Sequence, residues 1–236
     1  MQVDGPRFGR VQTFLKQIVF GGNDGIVTTF AIVAGFAGAR AEGAAEIGAI
    51  AVLVFGLANL FADGVSMGLG EFLSLRSKHD LYHSRHSDTL RAIARDTPSA
   101  RDRLAELFRK RGLSSSDADA ASAILARHPQ LMAEMMMTYA HGLNHPRGER
   151  PMANGLVTFF SFITFGVIPL VPYFTLPATP NTFGLSLAAT LSALLALGVL
   201  RWSATGDAPA RSIFETVVVG SICAAVAFVV GMLVGG

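Results

Sequence analysis

Five apolar stretches, roughly 18–39, 46–75, 153–174, 181–202 and 212–234, are each near or above the ~20 residues a helix needs to cross a bilayer. They constrain the fold more than any other feature, because hydrocarbon offers no partner to backbone N–H and C=O groups, and only helices or closed barrels satisfy those groups internally. Runs of this length are helices rather than strands. The expected class is therefore all-α: a polytopic membrane protein with five transmembrane helices. Residues 76–150, between the second and third, have a different character and hold 13 of the 19 Lys+Arg and all six histidines. They read as a small helical cytoplasmic domain. Charged residues make up 15% of the 236, below the ~25% usual for soluble domains.

Four parts follow. Residues 1–17 precede the first span, and from Pro6 to Phe20 the apolar Phe8, Val11, Phe14, Leu15 and Ile18 alternate with Arg7, Arg10 and Lys16. That is the pattern of an amphipathic helix lying on the inner leaflet. Residues 18–75 carry the first two transmembrane helices, 76–150 the cytoplasmic domain and 151–236 the last three spans. A cytoplasmic N-terminus leaves Arg7, Arg10, Lys16, the insert, Arg201 and Arg211 inside and only Arg40 outside, so the short loops favour this orientation by about five to one. The C-terminus is then expected outside. No signal-peptide pattern opens the sequence, and an inner or plasma membrane is the expected location.

Within the insert, the second span has no helix breaker after Glu71, so its helix is expected to run to about Asp96. Thr97-Pro98 offers an N-cap followed by proline for a helix carrying Leu104, Leu107 and Phe108, with Gly112 as its stop. Ser114 and Asp117 start the next, with Ala121, Ile124 and Leu125. Pro129 opens a last helix bearing Leu131, Met132, Met135, Met136 and Tyr139, ended near Gly142. So few large apolar residues make a small core, and dimerisation or docking on the membrane part is expected.

Along the second span, Asn59, Asp63, Met67 and Glu71 recur every four residues and share one helix face. A carboxylate at the bilayer centre costs about 3 kcal/mol or more, so such groups mark ion or proton pathways. The Met67 thioether among them points to a borderline-soft metal, since sulfur adds little for Mg²⁺ or Ca²⁺. From helix rise, Glu71 lies ~6 Å deep, Met67 ~12 Å and Asp63 ~18 Å, if the span ends near Leu75. On the first span Asp24, within Gly21-Gly22-Asn23-Asp24-Gly25, is placed at ~9 Å, between Met67 and Glu71, if that span starts near Ile18. Successive sites along a path fit the ~18 Å from Asn59 to Glu71 better than one cage. The glycines around Asp24, and Gly231-x-x-x-Gly235 in the last span, are candidates for close helix contacts. Pro169 and Pro172 are expected to end the third span, and Glu215 falls at the inner interface.

Several functions are excluded. A net charge of +2 is too small to argue for nucleic acid, and the lone Cys223 gives no disulfide framework. No nucleophile stands beside a base, and there is no phosphate loop or nucleotide fingerprint, so the chain is not expected to be an enzyme or to hold a tightly bound cofactor.

Phe20-Gly-Gly-Asn-Asp-Gly-Ile-Val-Thr-Thr-Phe30, Ser66-Met-Gly-Leu-Gly-Glu-Phe-Leu-Ser74 and Thr158-Phe-Phe-Ser-Phe162 leading to Ile168-Pro-Leu-Val-Pro-Tyr173 resemble the vacuolar iron transporter family, in the family's order and across essentially the whole chain. The resemblance implies a homodimer that exports cytosolic Fe²⁺, often Mn²⁺ too, against an inward proton flow. It aligns Asp24 and Met67 with the family's path aspartate and methionine, and Glu71 with the glutamate of its Met-x-x-Gly-Glu signature. The insert departs from the family's metal-binding pattern. Glu106 is present but Arg103 stands one turn earlier; Met136 and Met137 are present, while Ala140 precedes His141-Gly142-Leu143 where a glutamate is expected. His79, His83 and His86, spaced i, i+4 and i+7, are a candidate substitute set, imidazole being a ligand for Fe, Zn, Ni and Cu. Ion and proton are expected to compete for Asp24, Glu71 and Asp63. The alternative function is a membrane-anchored metal sensor or scaffold that binds without transport.

Overall fold

The computed structural model describes residues 9–38, 45–146, 148–176, 179–205 and 208–235. These form helices α1 (Gly9–Gly38), α2 (Ala45–Arg95), α3 (Thr97–Lys110), α4 (Ser115–Leu125), α5 (Pro129–His141), α6 (Pro151–Gly166), α7 (Val171–Thr175), α8 (Pro180–Thr205) and α9 (Pro209–Gly235), with a 3₁₀ turn at Ile168–Leu170. No strand occurs among the described residues. Five helical segments are long and apolar enough to cross a membrane, and the chain is an all-α polytopic membrane protein.

The chain divides into two compact units, one made of residues up to Phe72 together with Pro151 onward, the other of Leu73–Arg150. In the first, α1 packs against α6, α8 and α9, and α8 packs on α9. Lipid cannot drive helices together by the hydrophobic effect, so contact area has to come from close approach. Glycine supplies it. A Cβ on Gly25 would lie 2.3 Å from the Phe162 carbonyl oxygen, and one on Gly21 2.7 Å from that of Thr158. Gly155 and Gly68 bring α6 and α2 together in the same way, and Gly231 presses on the Gly35 backbone. Around these contacts lie two apolar clusters, one centred on Phe30, Val33, Val52 and Leu170, the other on Ile26, Leu194 and Leu197. Hydroxyls buried in the bundle bond to the preceding helical turn: Thr158 Oγ1 donates to Asn154 O at 2.9 Å and Thr190 Oγ1 to Ser186 O at 2.7 Å.

Two local expectations are refined. Pro169 and Pro172 interrupt the third span rather than close it, since the chain passes through the 3₁₀ turn into α7. The Pro169 carbonyl accepts a buried 2.6 Å bond from the Ser186 hydroxyl, which compensates the broken ladder. The proposed inner-leaflet helix lies outside the described residues up to residue 8, and from Gly9 its remainder is continuous with α1, with no break at residues 17–18.

In the second unit α2 ends at Arg95, and its last turns pack with α3 and α5. Ile93, Ala100, Leu104, Met132 and Ala133 form the core, flanked by Leu107, Phe108, Leu125, Met135 and Met136. Asp96, not Thr97, caps α3, its carboxylate accepting from Ser99 N at 3.0 Å, which puts Pro98 one position further in than expected. Ser114 caps α4 through Asp117 N, and Gly142 ends α5 in the left-handed region at φ 65°. Leu131 and Ile124, expected in the core, are exposed.

Candidate functional site

Helix α2 presents three stripes, each recurring at helical spacing. Val52, Gly56, Leu60, Gly64 and Gly68 are buried, and the glycines among them meet Leu170, Ile163, Phe159 and Gly155. Phe55, Phe61, Val65 and Leu69 are exposed. Between them run Asn59, Asp63, Met67 and Glu71, all half-buried. The spacing of four thus does what it promised: it keeps the polar donors on one line, at the edge of the packed face.

Helix α1 runs beside that line. Asp24 is half-buried on α1, at about the height of Asp63, since Gln17, two turns before it, bonds Glu71, two turns beyond Asp63. Asp63 is fixed from below by Asn59, whose Nδ2 donates to Asp63 Oδ2 at 2.7 Å. Further along, Gln17 Nε2 donates to Glu71 Oε1 at 2.9 Å. Gln17 is only 6% exposed, so this amide has little else to bond with. Beside Asp24, Asn23 Oδ1 is buried without a hydrogen-bond partner among the described residues. Met67 lies one turn from both Asp63 and Glu71, midway along the line.

The register differs from the one helix rise alone predicts. Asp24 is level with Asp63 instead of lying between Met67 and Glu71, because Gln17 stands opposite Glu71. Relative to the expected entry point at Ile18, α1 is displaced by about five residues, or ~7 Å along its axis. The glycine contacts to α6 set that position, and helix length does not report it. Gln17 falls within the segment whose sequence pattern suggests a surface-lying helix. Its signal was present, a lone amide seven residues before Asp24 and so on the same helix face.

In the insert the expected donors do not converge. Among the described residues no three His, Cys, Asp or Glu side chains approach closely enough to hold a metal ion, either in the insert or along the line of Asp24, Asp63 and Glu71. His79 Nε2 lies 3.8 Å from Glu149 Oε2, while His83 and His86 pack on the Tyr82 ring, edge-on at 5.9 Å and stacked at 5.6 Å. Met137 is fully buried and its sulfur accepts from the Thr89 hydroxyl at 3.6 Å; Met136 packs on the core. Glu106 is exposed and paired with Lys110 at 2.7 Å, which holds its carboxyl below the usual glutamate range. The metal content of the purified full chain is therefore expected to be unchanged in His83→Ala and His86→Ala, measured by elemental analysis; loss of metal in either variant would restore these rings as ligands.

The geometry defines a class: a helical membrane protein with a line of carboxylate, amide and thioether groups between its first two spans. Comparison with known sequences narrows it. The sequence model of the VIT family matches residues 15–232. Vacuolar iron transporter 2 of Oryza sativa subsp. japonica is 31% identical over 217 residues, covering 91% of this chain and 85% of that one. Vacuolar iron transporter 1 of Arabidopsis thaliana is 30% identical over 220 residues, covering 93% and 86%, and the vacuolar iron transporter of Toxoplasma gondii is 32% identical over 232 residues, covering 93% and 74%. The chain belongs to the VIT family, and is a membrane transporter rather than an enzyme.

Proposed function

We propose that this chain exports a divalent transition metal, Fe²⁺ and/or Mn²⁺, from the cytosol against an inward flow of protons, as a homodimer with its N-terminus in the cytoplasm. The observation that carries the proposal is the line of Asp63, Met67 and Glu71 on α2, tied to Asp24's helix by the Gln17–Glu71 bond between apolar spans, in a chain whose relatives are named for iron. Acidic groups in such a setting bind either protons or a dication. Ligands must be deprotonated to hold metal, so protonation releases cargo and cargo expels protons. Met67 biases the path away from Mg²⁺ and Ca²⁺. Asn59 and Gln17 act behind the ligands by fixing the orientation of Asp63 and Glu71.

The dimer is supported by what one chain lacks. A two-fold partner placed against α1 and α2 doubles the set Asp24, Asp63, Met67 and Glu71. It also covers the exposed Phe55, Phe61, Val65 and Leu69, and a 910 Å³ apolar cleft between α1, α2 and α9 whose wall includes Asn59.

The test is the full chain in liposomes that contain a pH-sensitive dye. Fe²⁺ or Mn²⁺ applied to one side is expected to drive protons the other way, and Mg²⁺ and Ca²⁺ are expected to be inert. Metal binding without flux would overturn the proposal in favour of a membrane-anchored sensor. In the same assay Gln17→Ala is expected to raise the metal concentration for half-maximal flux about tenfold, the low end of the effect of losing an outer-sphere partner. An unchanged value would reduce the Gln17–Glu71 bond to packing.

A further inference from the structure

The glycine contacts between α1 and α6 advance together. Gly21 meets Thr158 and Phe162, Gly25 meets Phe162, and a Cβ on Gly166 would lie 2.9 Å from the Gly25 carbonyl oxygen. The two helices therefore run parallel, four residues on α1 matching four on α6. The next member of the α1 series is Thr29, and its level on the third span is residues 166–170, where α6 gives way to the 3₁₀ turn at Ile168–Leu170. Helix α1 packs on that turn. Thr29 is 1% exposed, and its hydroxyl has no hydrogen-bond partner among the described residues. A threonine inside a helix ordinarily donates to the carbonyl one turn back, as Thr158, Thr190 and Thr216 do. For Thr29 that carbonyl belongs to Gly25, and Gly166 crowds it.

The third span holds a carbonyl in the complementary condition at this level. Pro169 has no N–H, so Phe165 O has no amide donor one turn on, and the proline ring is pressed against it. Nearby donors are committed: Leu170 N bonds Val167 O at 2.9 Å, and Ser186 Oγ bonds Pro169 O at 2.6 Å. From this juxtaposition of an orphaned donor and a carbonyl without its helical donor, we infer that the break in the third span is a hinge with two settings and that Thr29 is its latch. In the setting described above the latch is open, and the Ser186 bond holds the outer segment, residues 167–175. In the other setting that segment tilts about Gly166, the Pro169 ring swings off Phe165 O, and the Thr29 hydroxyl donates to it. Ser186 then releases Pro169 O. One buried bond is exchanged for another, which keeps the two settings close in free energy.

Hydrogen exchange in the full-length protein, held in phosphatidylcholine nanodiscs, reads the hinge without reference to any cargo. Tilting opens the Leu170 N–H to Val167 O bond, so amides of residues 170–176 report it. Thr29→Val keeps the side chain's shape and removes the latch; it is expected to slow their exchange roughly tenfold, the weight of one net hydrogen bond. Thr29→Ser is expected to exchange as the wild type does, and Ser186→Ala, which frees the opposite setting, roughly tenfold faster. Thr29→Val is also expected to aggregate at no lower temperature than the wild type, since it loses only an unpaired hydroxyl. Exchange in Thr29→Val that is unchanged or faster overturns the inference. So does a lower aggregation temperature, which would show that the hydroxyl is bonded in the setting described. One consequence rests on the transport reading: in liposomes Fe²⁺ flux falls in Thr29→Val and returns in Thr29→Ser. The expected exchange pattern in a wild-type chain that moves no metal would sink the transport reading and leave the hinge standing.

Discussion

Vesicles containing Asp24→Asn protein are expected to carry no more metal than protein-free vesicles, while the variant folds as well as the wild type or better. Asparagine keeps the size of the side chain and removes its charge. A dication stripped of water between apolar spans depends on ionised ligands, and among the described residues the variant leaves Asp63 as the only carboxylate at that level. It also removes a group that can take up a proton, so proton movement should disappear with metal flux. Stability should not fall, because the charge removed is one that a setting between apolar spans disfavours. The comparison therefore needs two measurements, flux in vesicles and thermal aggregation in detergent. Normal flux by Asp24→Asn would remove this residue from the path. Lost flux together with lost stability would point to a structural lesion instead.

Gly25→Ala is expected to lower the aggregation temperature of the detergent-solubilised protein by roughly 2–10 °C, the range for a 1–3 kcal/mol overpacking penalty in a chain of this size. The added methyl would sit 2.3 Å from the Phe162 carbonyl oxygen and 3.0 Å from its carbon. Both are backbone atoms and cannot swing aside, so α1 has to separate from α6. Gly70→Ala is the matched control: it too lies within a helix, and nothing stands within 4 Å of its Cβ position. It should be neutral, or slightly stabilising through helix propensity. Because Asp24 precedes Gly25, the same displacement moves its carboxylate relative to Asp63, and flux should fall more than stability explains. Equal stability of Gly25→Ala and Gly70→Ala would mean that the α1–α6 contact has slack.

The sequence declares whatever depends on length, periodicity or a single special residue. The five spans follow from apolar run length, and the insert's helices from Ser114, Pro129 and Gly142, each of which acts through its own backbone or its immediate neighbours. The Asn59–Glu71 line is legible for the same reason, as one helix determines it. What is not legible requires two helices at once. The level of Asp24 against α2 depends on where Gly21 and Gly25 meet Thr158 and Phe162, a contact some 137 residues away in sequence. His79, His83 and His86 look equivalent by spacing, yet one approaches Glu149 from the far end of the insert while two pack on Tyr82. Met137 looks like a spare sulfur donor until α2 supplies Thr89 beside it. Asp96 displaces Thr97 as the cap for a subtler reason: both residue types suit the role, and the preceding helix ends exactly one residue before it.

The glycine seams of α6 reach in two directions, to α1 through Gly21 and Gly25 and to α2 through Gly68 and Gly155. Backbone atoms that meet on both flanks tie these three rods into a single strut at those seams. If cargo crosses by exposure first to one side and then to the other, the hinge is expected outside these seams, with the strut moving as one body.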